Sequence, residues 1–397
     1  MSEGGDGKPL KPATRLVHGG RRKEWTGPVV NPPVWRASTH LYDTDAERQA
    51  AGGNNADGQF FYGRRGAPTQ WALAEALTQM EPGAYGTVLY PSGVAAIAGC
   101  MFAVLKPGDR LLMGDNAYDP ARSMATGLLA RMGVETTFFD PRDVEAYAKL
   151  FAAGGVKAVW LESPGSLTFE VCDIPQLAAI AREHGAVSMV DNTWASPLGF
   201  AGLTHGCDIV MMSLSKHVGG HSDLMMGSAS AGKRWHTMLR RTSHELGQVV
   251  SPDDAALAAR GLRTMGVRLE AQTRSALKIA EWLDAQPQVA QVLCPLLPSD
   301  PGHALWSRDF TGGCGLFAFV LASDDAGASA RVADALALFG IGYSWGGFES
   351  LALPITPHTY RAVMPDPCAG RPALRLSIGL EDADDLIADL AQALAQV

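Results

Sequence analysis

Apolar residues in this chain follow two rhythms, and the alternation between them outlines a fold. Short, mostly apolar runs read as buried strands: Thr87 to Tyr90, Arg110 to Met113, Lys157 to Leu161, Ala186 to Val190 and Asp208 to Met212. Between them lie longer stretches that read as helices: Trp71 to Met80, Val94 to Leu105, Ser123 to Met132 and Ile174 to His184. Their stop signals are Lys106-Pro107-Gly108-Asp109, Gly133 and Gly185. Strand alternating with helix predicts an α/β fold, a mostly parallel sheet covered on both faces. Ligands in such folds bind at the carboxyl ends of the strands, where Tyr90, Asp191 and the segment Ser213 to Lys216 fall.

Outside this region the pattern changes. Residues 1–65 are rich in Gly, Pro and Asn, as in Gly27-Pro28, Asn31-Pro32-Pro33 and Gly52-Gly53-Asn54-Asn55. They read as an arm with little regular structure that docks on a neighbouring subunit. Residues 66–262 make the large domain, and 263–397 a smaller α+β domain. A long helix from Asp253 to Leu283, broken near Gly266, leads into the latter. It continues with a strand at Gly315 to Leu321, a helix at Ala328 to Leu338, a strand at Ala373 to Ile378 and a helix at Asp384 to Ala395. There is no internal repeat.

Composition narrows the class. With 397 residues, 47% of them apolar and 19% charged, the chain has the profile of a soluble globular protein. A net charge of −8 with no basic run argues against nucleic acid and anionic membrane as partners. No apolar stretch approaches the roughly 18 residues of a membrane span. Met1 to Asp6 lacks the basic-then-apolar pattern of a secretory leader. The six cysteines are scattered, with no Cys-x-x-Cys, which argues against a zinc site or a disulfide framework and for a reducing, cytoplasmic setting. Cys100 reads as a small core hydrophobe.

The chemistry concentrates around Lys216, which follows an apolar run ending in Ser213-Leu214-Ser215. A lysine near the interior is costly unless it has a task. Upstream, another apolar run ends in Asp191. A strand-end aspartate with a strand-end Ser-x-Ser-Lys is what pyridoxal phosphate (PLP) needs: a carboxylate for the ring nitrogen, hydroxyls for the phosphate and an amine to carry the cofactor. Alone, Lys216 is equally a solvated lysine and Asp191 a helix cap. Ser92, Gly93 and Val94, in Tyr90-Pro91-Ser92-Gly93-Val94, offer N–H groups at a helix start to the phosphate, or form an ordinary capped helix. Tyr62 and Arg64 reach phosphate or lie on a surface turn. Tyr118 stacks on the cofactor ring or packs. Arg375, alone in an apolar strand, binds a substrate carboxylate or an internal partner. Trp35, Arg36, Tyr42 and Asp43 in the arm are candidates for a distal pocket. No metal ligand set is present.

Eight stretches in order carry a resemblance: Phe61 to Gly66, Glu162-Ser163-Pro164-Gly165-Ser166, Asp191-Asn192-Thr193-Trp194-Ala195, Ser213 to Lys216, Gly220-His221-Ser222-Asp223, Arg260 to Thr264, Tyr343-Ser344-Trp345-Gly346-Gly347 and Gly379-Leu380-Glu381-Asp382. Together the chain resembles the Cys/Met-metabolism family of PLP-dependent enzymes over nearly its whole length. The resemblance implies fold type I, with a seven-stranded sheet, and PLP carried by Lys216, which also moves protons. It implies that Asp191 faces the ring nitrogen, that Tyr118 stacks, and that Ser92, Gly93, Val94, Ser213 and Ser215 hold phosphate. Tyr62 and Arg64 would serve a neighbouring subunit in a homotetramer built as a dimer of dimers. Arg375, helped by Tyr343, Ser344 and Trp345, would bind the substrate. Relatives acting at the γ-carbon generally carry glutamate in place of Tyr343, and Gly66-Ala67-Pro68-Thr69 and Glu162 to Ser166 also depart from them. The resemblance therefore implies β-elimination of L-cystathionine to homocysteine, pyruvate and ammonia. The alternatives are γ-cleavage or γ-synthesis, a broad cysteine-conjugate β-lyase, or a PLP-fold binding module. Ser215 departs mildly, standing where threonine is frequent.

Overall fold

The structure, a computed structural model, describes residues 10–52, 58–359 and 361–396. The leader reading of Met1 to Asp6 and the turn residues Gly53, Asn54 and Asn55 lie outside the described residues. The chain forms two compact units, each built from two stretches: Met1–Val104 with Asp208–Gly266, and Leu105–Cys207 with Val267–Val397. The strands are β1 (Gly86–Tyr90), β2 (Arg110–Gly114), β3 (Glu135–Phe139), β4 (Val156–Glu162), β5 (Val187–Asp191), β6 (Ile209–Ser213), β7 (Gly227–Ala231), β8 (Val289–Leu293), β9 (Leu316–Leu321), β10 (Gly340–Ile341), β11 (Leu351–Ile355) and β12 (Ala373–Ser377). A set of seven strands runs in the order β1-β7-β6 within the first unit and β5-β4-β2-β3 within the second.

In the first unit both pairings are antiparallel, because β7 runs against β1 and β6. Residues 214–226 join β6 to β7 with no intervening helix, so the chain returns in the opposite direction. The sequence Gly-Ser-Ala-Ser-Ala in β7 has none of the β-branched or aromatic residues that announce a strand, which is why periodicity missed it. Its small side chains admit the helix Gly93–Val104, which packs on β1, β6 and β7. A Cβ at Gly99 would lie 2.3 Å from the ring of Tyr90, whose side chain is fully buried.

The arm is more regular than its composition predicts. It contains the helices Pro12–His18, Lys23–Thr26 and Asp45–Gly52, the first with proline in its opening turn, where a missing N–H costs nothing. Arg263 ties the arm down by donating to the carbonyls of Leu16 (2.6 Å) and Gly19 (3.0 Å). The helix carrying Arg263 runs unbroken from Pro252 to Asp284. The predicted break at Gly266 is absent, since one glycine costs a helix only about 1 kcal/mol.

In the second unit β2, β3, β4 and β5 are all parallel. A second sheet runs β10-β11-β12-β9-β8, antiparallel except for β10 with β11. Its core gathers Phe317, Phe319, Leu374, Leu376, Ile279, Leu386 and Leu390. Two predicted helices shift. The one expected from Ser123 starts at Asp119, with Pro120 in its first turn, and continues through a wider turn at Ala125–Leu129. Tyr118 thereby becomes its N-terminal boundary. The helix from Ala328 ends at Ala335 rather than Leu338, because the buried Asp389 carboxylate captures the N–H groups of Ala337 and Leu338.

A Cβ at Gly261 would lie 2.2 Å from the carbonyl oxygen of Val218 and 2.3 Å from that of Gly219, so the long helix touches the backbone just beyond Lys216. Gly261→Ala should cost about 1–3 kcal/mol, as overpacking does, and lower the urea midpoint. Gly232→Ala, where a Cβ meets nothing within 4 Å, should lower that midpoint less, by no more than a weaker helix cap costs.

Candidate active site

The first unit carries the amine and the phosphate candidates. β6 stops at Ser213, and Lys216 sits half-buried in the turn that follows, with its N–H directed to the Ser213 carbonyl at 3.3 Å. The opposing element is the start of the helix Gly93–Val104, 12 residues long. Ser92 caps it, its hydroxyl accepting from the Ala95 N–H at 3.0 Å. The N–H groups around Gly93 and Val94 are thus left for a ligand, as at any helix N-terminus. A Cβ at Gly93 would fall 2.8 Å from Ser213 Oγ, so this corner admits bare backbone only. Ser215 differs from Ser213: its hydroxyl accepts from the Met226 N–H at 2.9 Å, which fastens the lysine turn to the chain entering β7.

Tyr62 precedes the single turn Gly63–Arg65 and Arg64 lies within it, and both are exposed. Arg64 donates to the His244 carbonyl at 2.6 Å. Of the arm candidates, Arg36 is held by both oxygens of Asp253, Tyr42 donates to the Phe61 carbonyl, and Trp35 packs on Phe60. The Asp43 N–H donates to the Glu47 carboxylate at 3.1 Å.

The second unit carries the ring and carboxylate candidates. Asp191 ends β5 at 6% exposure, and its Oδ1 accepts from the N–H and hydroxyl of Thr193. Tyr118 follows the turn after β2, and its N–H donates to Glu162 Oε2 at 2.7 Å. Burial pushes the Tyr118 phenol up, reinforced by Glu162 and Asp191 and opposed by Arg375. On β12, Arg375 donates from Nη2 to the Ser344 carbonyl at 2.9 Å, while its Nε is buried with no partner. Desolvation pushes its guanidinium down to about 10, with Tyr118 acting the other way. Among the described residues no carboxylate pairs with it, so the internal salt bridge is not formed. Ser344 holds a left-handed backbone at φ +84°, a strained position for a residue other than glycine. Trp345 is half-buried and Tyr343 is 88% exposed.

The residues fit PLP. The Gly93–Ser213 corner supplies a backbone cradle for phosphate, Asp191 a buried strand-end carboxylate, and Lys216 an amine. The orphaned Nε of Arg375 asks for an anion.

Three residues near Tyr118 escape a reading of the sequence by pattern. Glu162 is visible there only as part of a motif; its register partner on β5 is Asp191. Asn116 donates to the Glu162 carbonyl at 3.0 Å. Asp115 accepts from the N–H groups of Ala362, Val363 and Met364 and from Arg122. Desolvation works against it, yet these donors hold its carboxyl below the usual range. Only the loop 361–364, distant in sequence, reveals what Asp115 does.

Comparison with known proteins places the chain. It is 42% identical to a cystathionine beta-lyase of Escherichia coli (strain K12) over 97% of this chain and 98% of that protein. It is 43% identical to a cystathionine beta-lyase of Salmonella typhimurium over 97% and 98%. A solved cystathionine gamma synthase from Xanthomonas oryzae pv. oryzae superposes with a TM-score of 0.89 at 33% identity, over 98% of this chain and 99% of that one. Residues 13–395 match the family described as Cys/Met metabolism PLP-dependent enzyme, and this protein belongs to that family.

Proposed function

We propose that this protein is a PLP-dependent carbon–sulfur lyase that cleaves L-cystathionine by α,β-elimination. The observation that carries an amino-acid substrate is Arg375, a half-buried arginine whose buried Nε is unpartnered, because an α-carboxylate satisfies both its charge and its free donor. Support for β- over γ-chemistry comes from Tyr343 standing where γ-acting relatives generally carry glutamate, and from the similarity to cystathionine beta-lyases. The similarity to a gamma synthase keeps γ-chemistry as the second reading.

Bound PLP supplies an electron sink for the charge left at the substrate Cα. Lys216 and the backbone N–H groups of Gly93 and Val94, with Ser92, Ser213 and Ser215, hold the cofactor. Asp191 keeps a negative charge opposite the ring nitrogen, and Tyr118 covers the ring. Arg375 grips the α-carboxylate, with Ser344 and Trp345 shaping that end and Tyr343 at its rim. The Lys216 amine takes the Cα proton and returns a proton to the departing sulfur. With one water consumed, the products are homocysteine, pyruvate and ammonia.

Tyr62 and Arg64 complete the phosphate site of a neighbouring subunit. Their exposure supports this, as do the exposed apolar residues Val29, Val30 and Leu41 in the arm. The assembly is a homotetramer, a dimer of dimers, and the parts of each chain are the arm 1–65, the large domain 66–262 and the C-terminal domain 263–397. A cytoplasmic setting is supported by the burial of all six cysteines. No helix among the described residues is long and apolar enough to cross a membrane.

Incubation with PLP and L-cystathionine should release pyruvate and homocysteine; 2-oxobutyrate and cysteine would establish the γ-reading instead. Lys216→Ala should abolish turnover. Arg375→Ala should lower kcat/KM by about 100-fold, the cost of losing one partner of a buried charge pair, mainly through KM. Because the Arg375 cation is lost as pH rises through about 10, KM should climb as pH approaches that value while staying flat near neutrality. Lys216→Ala and Arg64→Ala, each inactive or weak alone, should regain activity when refolded together; failure to complement would place Arg64 in its own subunit's chemistry.

A further inference from the structure

β4 and β5 pair in parallel with Glu162 opposite Asp191, the last residue of each strand. Register partners on neighbouring strands point to the same face, with backbones about 4.8 Å apart. Two carboxyls so placed cannot both ionise cheaply. Each has its own fixed contact. Asp191 takes the N–H and hydroxyl of Thr193, and Glu162 takes the N–H of Tyr118 at 2.7 Å.

Of the groups around Glu162, the Tyr118 N–H and the Arg361 cation favour its ionised form, but they are outweighed. Asp191 and Glu170 are acidic. The nearby cation, Arg361, is committed to Glu170 at 2.8 Å and also contacts Thr168, with both members of that pair buried. Asp119 and Arg375 also act on Tyr118, with opposite sign. Burial first, and then the charge of Asp191, push the Glu162 carboxyl well above the usual carboxylate range.

We infer that Glu162 is a positioning residue that seats Tyr118 as a neutral carboxylic acid, leaving Asp191 the only anion of the pair. The backbone N–H of Tyr118 needs an acceptor at the start of its helix. An ionised acceptor would compete with Asp191 for the ring nitrogen, whereas a protonated one fixes the tyrosine without adding charge. This rests on the assignment of Asp191 and Tyr118 to the cofactor ring, but not on the identity of the substrate.

The test uses the full-length chain. The infrared spectrum at neutral pH, with and without PLP, should contain a protonated-carboxyl C=O stretch that disappears in Glu162→Gln. Glu162→Leu removes the acceptor and should weaken PLP binding by about 10- to 100-fold, the cost of a buried N–H left unpaired. Glu162→Gln retains a neutral carbonyl acceptor and should recover the affinity to within about threefold of the natural protein. The inference is overturned if the protonated band is absent, or if Gln is as damaging as Leu, since either result means that the charge is what matters. The band is read on the natural protein, so it decides the matter even if the Leu variant does not fold. Neither readout involves a thioether substrate, so failure of cystathionine cleavage would leave the result standing.

Discussion

The parallel register of β4 with β5 governs the chemistry of the second unit. It brings Glu162 level with Asp191, and the backbone N–H of Tyr118 then finds its acceptor on Glu162. A slip of one residue in either strand would turn that strand's carboxyl to the opposite face and separate the pair. The register is held by strands that are almost wholly buried, Trp160, Leu161, Met189 and Val190 among them, so no partly exposed face competes for an alternative pairing.

The first unit solves a different problem, bringing backbone close to backbone. The helix Gly93–Val104 presents its N-terminus where β6 ends because Gly93 lacks a side chain against Ser213. The lysine turn is fastened twice: Ser215 binds Met226, and Gly261 lets the long helix rest against the Val218 and Gly219 carbonyls. Lys216 therefore sits on a segment with little freedom. A residue proposed to carry the cofactor gains from such a support, because its geometry need not be rebuilt each time.

Strong local signals are readable directly in the chain. The buried runs at β1, β2, β4, β5 and β6 are apolar enough to announce themselves, and the residues that close two of those runs are Asp191 and Ser213. β7 is not readable, since Gly-Ser-Ala-Ser-Ala carries no strand propensity and is ordered by its two neighbours. The arm helices are hidden by Gly and Pro, and they depend on anchors such as Arg263 that come from far along the chain. The true end of the helix at Ala335 is hidden because Asp389 lies 52 residues from the amide of Ala337 that it captures.

The residue types therefore determined the chemistry this protein can perform: an amine after a strand, a carboxylate ending another, a capped helix with a glycine at its start, and an arginine within an apolar strand. Each is a local pattern, imposed by the cost of burying a polar group without a task. The tertiary structure alone decided which of these groups act on one another. Glu162 beside Asp191, Asp115 holding residues 362–364, and Arg375 left with a free Nε arise from contacts between residues remote in sequence. Strand order and backbone approach set such contacts, and neither is written in the periodicity of the chain.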